Sequence, residues 1–348
     1  MTTAQMAMTR AYRRDRELLD SQDHAGQLTG WNQNYDQISR GAFRSRLVEI
    51  EFDNFHIFQE ELSQAVFQTG QCCKDTVALG VFSAMSGEAR WHGGAVGMDD
   101  VLFLEGQGEL VLTTPKTSSM MGFGLPMQQL ENWCDDIPGS TRERVRLLSA
   151  SPLRDRFAAE SLRTSLTSLM RELLHRADDK LPVAVARQLH DELATLIVKL
   201  LCGEPGKEER RITGKAKKVV QRARAYALDR REEPPTMIDV CKHTYVSLRT
   251  LQNCFQAVLG ESPATYLKML RLNGAKRDLI KRGGNALVGD IAADWGFWHL
   301  SQFSSDYRRM FGELPSATRI MRGGSLVAPE RRECRGRCSS GPCRRLRA

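Results

Sequence analysis

The sequence predicts an α+β chain, with a β-rich first half closed by a helical hairpin and an all-α region carrying two helix-turn-helix units. Three observations predict it. Short apolar runs broken by Gly, Asp and Ser clusters fill residues 31–125, leucines recur at helical spacing over 162–200, and a segment beginning at Ser247 returns at His299. At 348 residues the chain has room for two cores.

Residues 1–30 are polar and are expected to form a loose N-terminus. After them, LVEIEF at 47, TVALGVF at 76, DVLFLEG at 100 and ELVLTT at 109 read as strands. Many short strands with no helices between them favour an antiparallel barrel or sandwich over a doubly wound sheet, and a small cupin-like barrel is the expectation. The pattern then changes period. Leu162, Leu166, Leu169 and Leu173 share one helical face, as do Leu189, Leu193, Leu196 and Leu200. Pro182 suits the start of the second helix, where its missing N–H costs nothing. This pair packs on the barrel or forms a dimer seam, which sets a unit of 31–205. The charged, Gly- and Pro-containing stretch from Cys202 to Arg211 reads as a linker, placed at 206–215.

The most specific signal is internal. SLRTLQNCFQAVLGESP from Ser247 matches HLSQFSSDYRRMFGELP from His299 at an offset of 52, pairing Leu251 with Phe303, Phe255 with Tyr307, Gly260 with Gly312 and Pro263 with Pro315. Each copy follows a short helical segment, TMIDVCKHT or LVGDIAADW, and a tight turn, which makes a helix-turn-helix. Leu251, Phe255 and Val258 should face inward, as should Phe303, Tyr307 and Met310. The opposite faces then present Arg249, Thr250, Gln252 and Asn253 in one copy, with Ser301, Gln302 and Ser305 in the other. These groups can bond base edges or phosphates. Ser247 is placed to cap the first of these helices. His299 opens the second, where backbone N–H groups favour a phosphate. Between the copies, Ser262, Pro263, Leu267, Leu270 and Leu279 mark one joining helix. Such a strut would hold both recognition helices on one DNA face, where successive major grooves lie about 34 Å apart.

Charge agrees with that reading. Residues 213–322 hold 19 Lys and Arg against 10 Asp and Glu, and residues 323–348 hold 7 against 2, whereas the remainder holds 24 against 30. The positive field therefore belongs to the C-terminal third, as a polyanion partner requires. The Arg-rich residues 323–348 are expected to be a disordered basic tail. No run reaches the roughly 18 apolar residues of a membrane helix, and the N-terminus lacks a signal peptide's apolar block, so a cytoplasmic location without membrane contact is expected. The cysteines are expected to be reduced. Cys334, Cys338 and Cys343 supply only three ligands without paired spacing, so no metal is expected.

Residues 216–322 resemble the DNA-binding domain of the AraC/XylS regulators. The resemblance rests on Ser247, on Tyr266, Arg271, Ala275 and Leu279, and on Gly296, Phe297, Phe311, Gly312 and Pro315. It implies a transcriptional regulator, most often an activator of a catabolic operon, that binds operator DNA, responds to a small-molecule effector and works with RNA polymerase, as a homodimer in many members. Two departures stand out: Ser305 occupies a position where many members carry Arg, and Gly274 lies inside the joining helix, at a cost of about 1 kcal/mol relative to Ala. A closer likeness covers TGWNQNYDQISRGAFRSRLVEIEFDNFHIFQEE, RTLQNCFQAVLG and WGFWHLSQFSSDY, which are similar to activators of ethanolamine-utilisation operons. That likeness implies ethanolamine and adenosylcobalamin as effectors, although related regulators of other pathways share the first motif.

Two alternatives stay open at this point. An enzyme domain fused to a DNA-binding module would need a catalytic constellation, yet His56 and His92 form no metal-ligand run, Cys72 and Cys73 are adjacent, and no GxSxG or phosphate loop occurs. A constitutive dimeric DNA-binding protein would use the first half only for association. Trp31, Tyr35, Trp91 and Trp133 either line an effector pocket or fill the core. No effector-binding residue is assigned.

Overall fold

The structure is a computed structural model that describes residues 8–52, 54–134, 140–175, 180–202, 214–283 and 286–320. The N-terminal unit begins with β1 (Met8–Leu18), α1 (Ser21–Gln27), β2 (Trp31–Gln37), β3 (Ser45–Phe52), β4 (Phe55–Leu62) and β5 (Val66–Cys72). It continues through β6 (Thr76–Met85), β7 (Ala89–Trp91), β8 (Gly94–Val96), β9 (Asp100–Glu105), β10 (Leu110–Thr113) and β11 (Ser118–Pro126). Helices α2 (Met127–Trp133) and α3 (Thr141–Ala150) come next, then β12 (Leu153–Arg154), α4 (Arg156–His175), β13 (Lys180–Pro182) and α5 (Val183–Cys202).

The expected loose stretch over 1–30 is corrected within residues 8–27. β1 pairs antiparallel with β3 from Ala11 opposite Phe52 to Leu18 opposite Ser45. Its charges looked like disorder because their partners lie on β3, 31 and 37 residues away: Asp15 meets Arg46 at 2.7 Å and Arg14 meets Glu51 at 2.9 Å. Opposite charges across an antiparallel pair support the sheet as apolar pairs do. Asp20 then caps α1 by accepting from the N–H groups of Gln22 and Asp23. Residues 1–7, residues 203–213, which hold most of the expected 206–215 linker, and residues 321–348, which hold the expected tail over 323–348, lie outside the described residues.

The strands form two antiparallel sheets, ordered β12-β9-β6-β11-β4-β3-β1-β13 and β2-β5-β10-β7-β8. Each central strand buries both faces, so TVALGVF and DVLFLEG read as continuous apolar runs instead of alternating ones. On one face of the larger sheet, Val77, Leu79, Val81, Val101, Phe103 and Phe123 pack against Val145 and Leu148 of α3, the predicted stripe Leu162, Leu166, Leu169 and Leu173 of α4, and Leu193 and Leu200 of α5. On the other face, Ala78, Phe82, Leu102 and Leu104 meet Trp91, Leu110 and Leu112 of the smaller sheet. The order of layers is helices, larger sheet, smaller sheet.

A fourth layer is the helical unit, comprising α6 (Gly214–Asp229), α7 (Met237–Thr244), α8 (Leu248–Leu259), α9 (Pro263–Arg282), α10 (Val288–Asp294), α11 (Leu300–Phe311) and α12 (Pro315–Ile320). Its core gathers Leu251, Phe255, Tyr266, Leu270, Phe303 and Tyr307. Ile38, Phe67 and Val111 belong to the same apolar cluster, so the outer face of the smaller sheet is part of this core. That sheet is a shared wall. In β10, Leu110 and Leu112 point to the barrel interior while Val111 and Thr113 point to the helices, as the two-residue period of a strand dictates.

Candidate nucleic-acid interface

Local chemistry sets each helix-turn-helix. In the first, Thr236 and Asp239 make a reciprocal capping box that starts α7, and Tyr245 takes a left-handed conformation to turn the chain. The Ser247 side chain accepts from the Thr250 N–H at 3.2 Å, starting α8 where the sequence placed the cap. Gly260 ends α8 and Gly312 ends α11, both left-handed, with φ of 73° and 76°. The equivalent glycines of the repeat thus perform the same task. His299 stands at the N-cap of α11 but makes no capping side-chain bond, unlike Ser247.

The joining helix α9 begins as expected, with Ser262 capping and Pro263 in its first turn. Gly274 has a reason. A Cβ there would run into the indole of Trp295, which packs flat on α9 and donates from Nε1 to Asp278 at 2.9 Å. Arg271 stacks over Phe297 at 4.8 Å and donates to the Gly296 carbonyl at 3.3 Å. Those contacts clamp the second turn to α9, so the helix is braced where its glycine would otherwise weaken it.

Arg249, Thr250, Gln252 and Asn253 of α8 are exposed, as are Ser301, Gln302 and Ser305 of α11, and so are Ser247 and His299. Each array follows one helix face, with Leu251 and Phe255, or Phe303 and Tyr307, buried beneath it. The two arrays are not equal. Gln302 donates to Asp306 at 3.0 Å, and Asp306 also takes the Lys268 ammonium at 2.6 Å. Burial works to raise the Asp306 carboxyl, but these two bonds outweigh it and hold the carboxyl below its usual range. Gln302 is therefore partly engaged within the chain.

Sequence reasoning passed over several exposed groups. Leu248 and Leu300 occupy the first position of each recognition helix and are 48% and 47% exposed, while Trp298 and Tyr245 stand out from the turns. The signal was available in the repeat, where both leucines fall in the same register inside polar surroundings. Arg308 and Arg309 also lie exposed in the last turn of α11.

Groups that hold the helical unit to the sheet were missed as well. Asp36 on β2 is buried and bonds Arg224 at 3.0 Å and Arg277 at 2.9 Å. Burial alone would lower the Arg224 guanidinium, but Asp36 outweighs it and leaves Arg224 above its ordinary range. The Asn273 amide exchanges two bonds with the Gln37 backbone, at 3.0 and 2.9 Å. Lys276, also buried, reaches Asp20 at 2.9 Å.

Inside the barrel lies a cavity of about 30 Å³, bordered by Trp31, Gln33, Tyr35, Glu60, Gln68 and Trp91 among others. Glu60 accepts from the Tyr35 hydroxyl at 2.6 Å and meets His24 Nε2 at 2.8 Å. Burial, then the Glu60 charge, pushes the Tyr35 phenol well above its usual range, so it stays a donor. Gln33 Oε1 and Gln68 Nε2 are buried there without a hydrogen-bond partner. Trp133 lies elsewhere, edge-on to His190. Among the described residues no three His, Cys, Asp or Glu side chains gather to hold a metal, and no helix is long and apolar enough to cross a membrane.

Residues 240–321 match the family described as "Helix-turn-helix domain". Over 99 residues the chain is 35% identical to the "Probable thc operon regulatory protein" of Rhodococcus erythropolis, covering 28% of this chain and 30% of that one. Over 74 residues it is 38% identical to the "XylDLEGF operon transcriptional activator" of Pseudomonas putida, covering 21% and 23%. Among solved structures, the AraC-like transcriptional activator CuxR is similar over 81% of this chain and all of that one, at 14% identity and a TM-score of 0.41. The chain thus carries a helix-turn-helix domain and is similar over part of its length to operon regulators. It spans less than a third of the length of the two curated relatives just named.

Proposed function

We propose that this protein is a cytoplasmic, non-enzymatic transcriptional regulator that binds double-stranded DNA with α8 and α11 and governs a catabolic operon, as an activator working with RNA polymerase and as a homodimer. The observation that carries the reading is the repeated array: two helices of like register, each ended by a left-handed glycine and joined by one braced helix, each exposing hydrogen-bonding side chains in the most basic third of the chain. Side chains of that kind bond base edges and phosphates. The chemistry of the N-terminal unit favours sensing over catalysis, since its buried polar groups line an interior cavity and gather no catalytic constellation among the described residues.

The same proposal makes the barrel the effector site. Gln33 and Gln68 present an acceptor and a donor beside the Glu60 carboxylate that an enclosed water or a small ligand would complete. A cavity of about 30 Å³ holds about two waters, so a molecule as small as ethanolamine enters only if the side chains around it shift. Adenosylcobalamin is far too large for this interior. Fluorescence anisotropy with labelled duplex DNA across a salt series tests the DNA reading. Binding should weaken steeply as salt rises, and Arg249→Ala combined with Asn253→Ala should reduce it at every salt concentration. Salt-independent or absent binding would refute the proposal.

A further inference from the structure

We infer that Leu248 and Leu300 read thymine methyl groups, one in each half of the DNA site; this rests on the proposed DNA binding by α8 and α11. A lone exposed leucine is ordinary on a protein surface. Here the exposure recurs at positions 52 residues apart, each the first residue of its helix, at 48% and 47%. Neither leucine is engaged in starting its helix: Ser247 caps α8 by its own side chain, and the buried residues beneath each helix begin with Leu251 and Phe303.

The placement of the helices directs these first turns outward. The N-terminal unit holds the opposite ends, since the Val258 carbonyl of α8 and the Met310 carbonyl of α11 accept hydrogen bonds from Thr113 and Gln37. A recognition helix enters the major groove with its N-terminal residues leading. In that groove the only apolar group on a base edge is the thymine C5 methyl. An apolar side chain at the leading position, next to Arg249 and Ser301 at the second, therefore adds a methyl contact to the hydrogen-bonding residues behind it. Leu300 gives α11 a base-reading group that its short serines and engaged Gln302 lack.

Uracil substitution isolates the contact, because it removes the methyl and keeps every base-pairing group. The full chain is titrated against its preferred duplex, selected from random DNA, with each thymine replaced by uracil in turn. Wild type should lose about three- to fivefold in affinity at one thymine in each half-site, the scale of one buried methyl group. Leu248→Ala should become indifferent to the methyl in one half and keep its sensitivity in the other; Leu300→Ala should do the reverse. Leu248→Gln and Leu300→Gln provide second variants at these exposed positions. If wild type tolerates uracil at every position, or if the variants keep the wild-type thymine-to-uracil ratio, the inference fails while DNA binding stands. A variant that keeps the ratio but loses transcriptional output would assign Leu248 to the groove it shares with Ile238 and Tyr245, again overturning the inference. Absence of sequence-preferring binding would sink the DNA reading itself.

Discussion

The Thr113 hydroxyl donates to the Val258 carbonyl at 3.0 Å. Met310, which stands 52 positions after Val258, accepts from Gln37 Nε2 and from the Gly41 N–H, each at 3.0 Å. Equivalent carbonyls near the C-terminal ends of the two recognition helices are therefore held by one unit. β2 and β10, which supply Gln37 and Thr113, also border the barrel cavity through Gln33, Tyr35 and Leu110. Movement of those strands on filling the cavity would reach both helices at once.

Thr113→Val should destabilise the chain by about 1 to 3 kcal/mol, because it leaves the Val258 carbonyl buried without its partner. Thr113→Ser keeps the hydroxyl and should recover most of the loss. Urea unfolding of both variants checks this, and equal midpoints for wild type and Thr113→Val would show that the bond contributes nothing.

Asp36→Asn should cost about 3 kcal/mol, since it removes the buried anion between Arg224 and Arg277 while leaving both cations in place. A second, separate unfolding transition is expected as the helical unit detaches from the sheet. A loss below about 1 kcal/mol with a single transition would mean that apolar contacts through Phe67 and Val111 hold the units without the ion pairs.

Gly274→Ala raises helix propensity by about 1 kcal/mol, yet the methyl would meet the Trp295 ring, and overpacking of that kind costs about 1 to 3 kcal/mol. Net destabilisation is expected, with Trp295→Leu restoring tolerance of the alanine. Thermal unfolding of the two single variants and the double variant decides it; stabilisation by Gly274→Ala alone would contradict the packing account.

His92 sets a pH dependence. Burial, reinforced by the Lys217 ammonium 3.2 Å from Nδ1, pushes its imidazole down to about 3. Between pH 6.5 and 3 the unfolded chain then binds a proton that the folded chain excludes, so this residue's contribution to stability falls as pH falls. His92→Asn, which tolerates the left-handed backbone at this position, should flatten the slope of unfolding free energy between pH 4 and 6 by up to about 1.4 kcal/mol per pH unit. An unchanged slope would place the proton uptake elsewhere.

The helical unit was legible because its signals are local. Ser247, Ser262, Gly260 and Gly312 act within a few residues of their positions in sequence, and the period of Leu251, Phe255 and Val258 shows the buried face directly. The polar strands were not legible for the opposite reason. WNQNYDQ is absent from the expected strands, yet it forms β2, with Tyr35 turned to Glu60 and Asp36 to Arg277, 241 residues away. A strand whose polar groups find such distant partners has no apolar alternation to show. The proposed DNA-facing surface was visible as a polar array, but its leading leucines were hidden by the rule that exposed positions are polar.

Selection of preferred sites from random duplex DNA by the full chain, repeated with Arg249→Ala, tests the central claim most directly. A bipartite site with halves about one helical turn apart is predicted, because α8 and α11 are fixed on one strut. Arg249→Ala should lose preference at one base position of one half, with the other half unchanged. No enriched site, or an identical site for wild type and variant, would contradict the account.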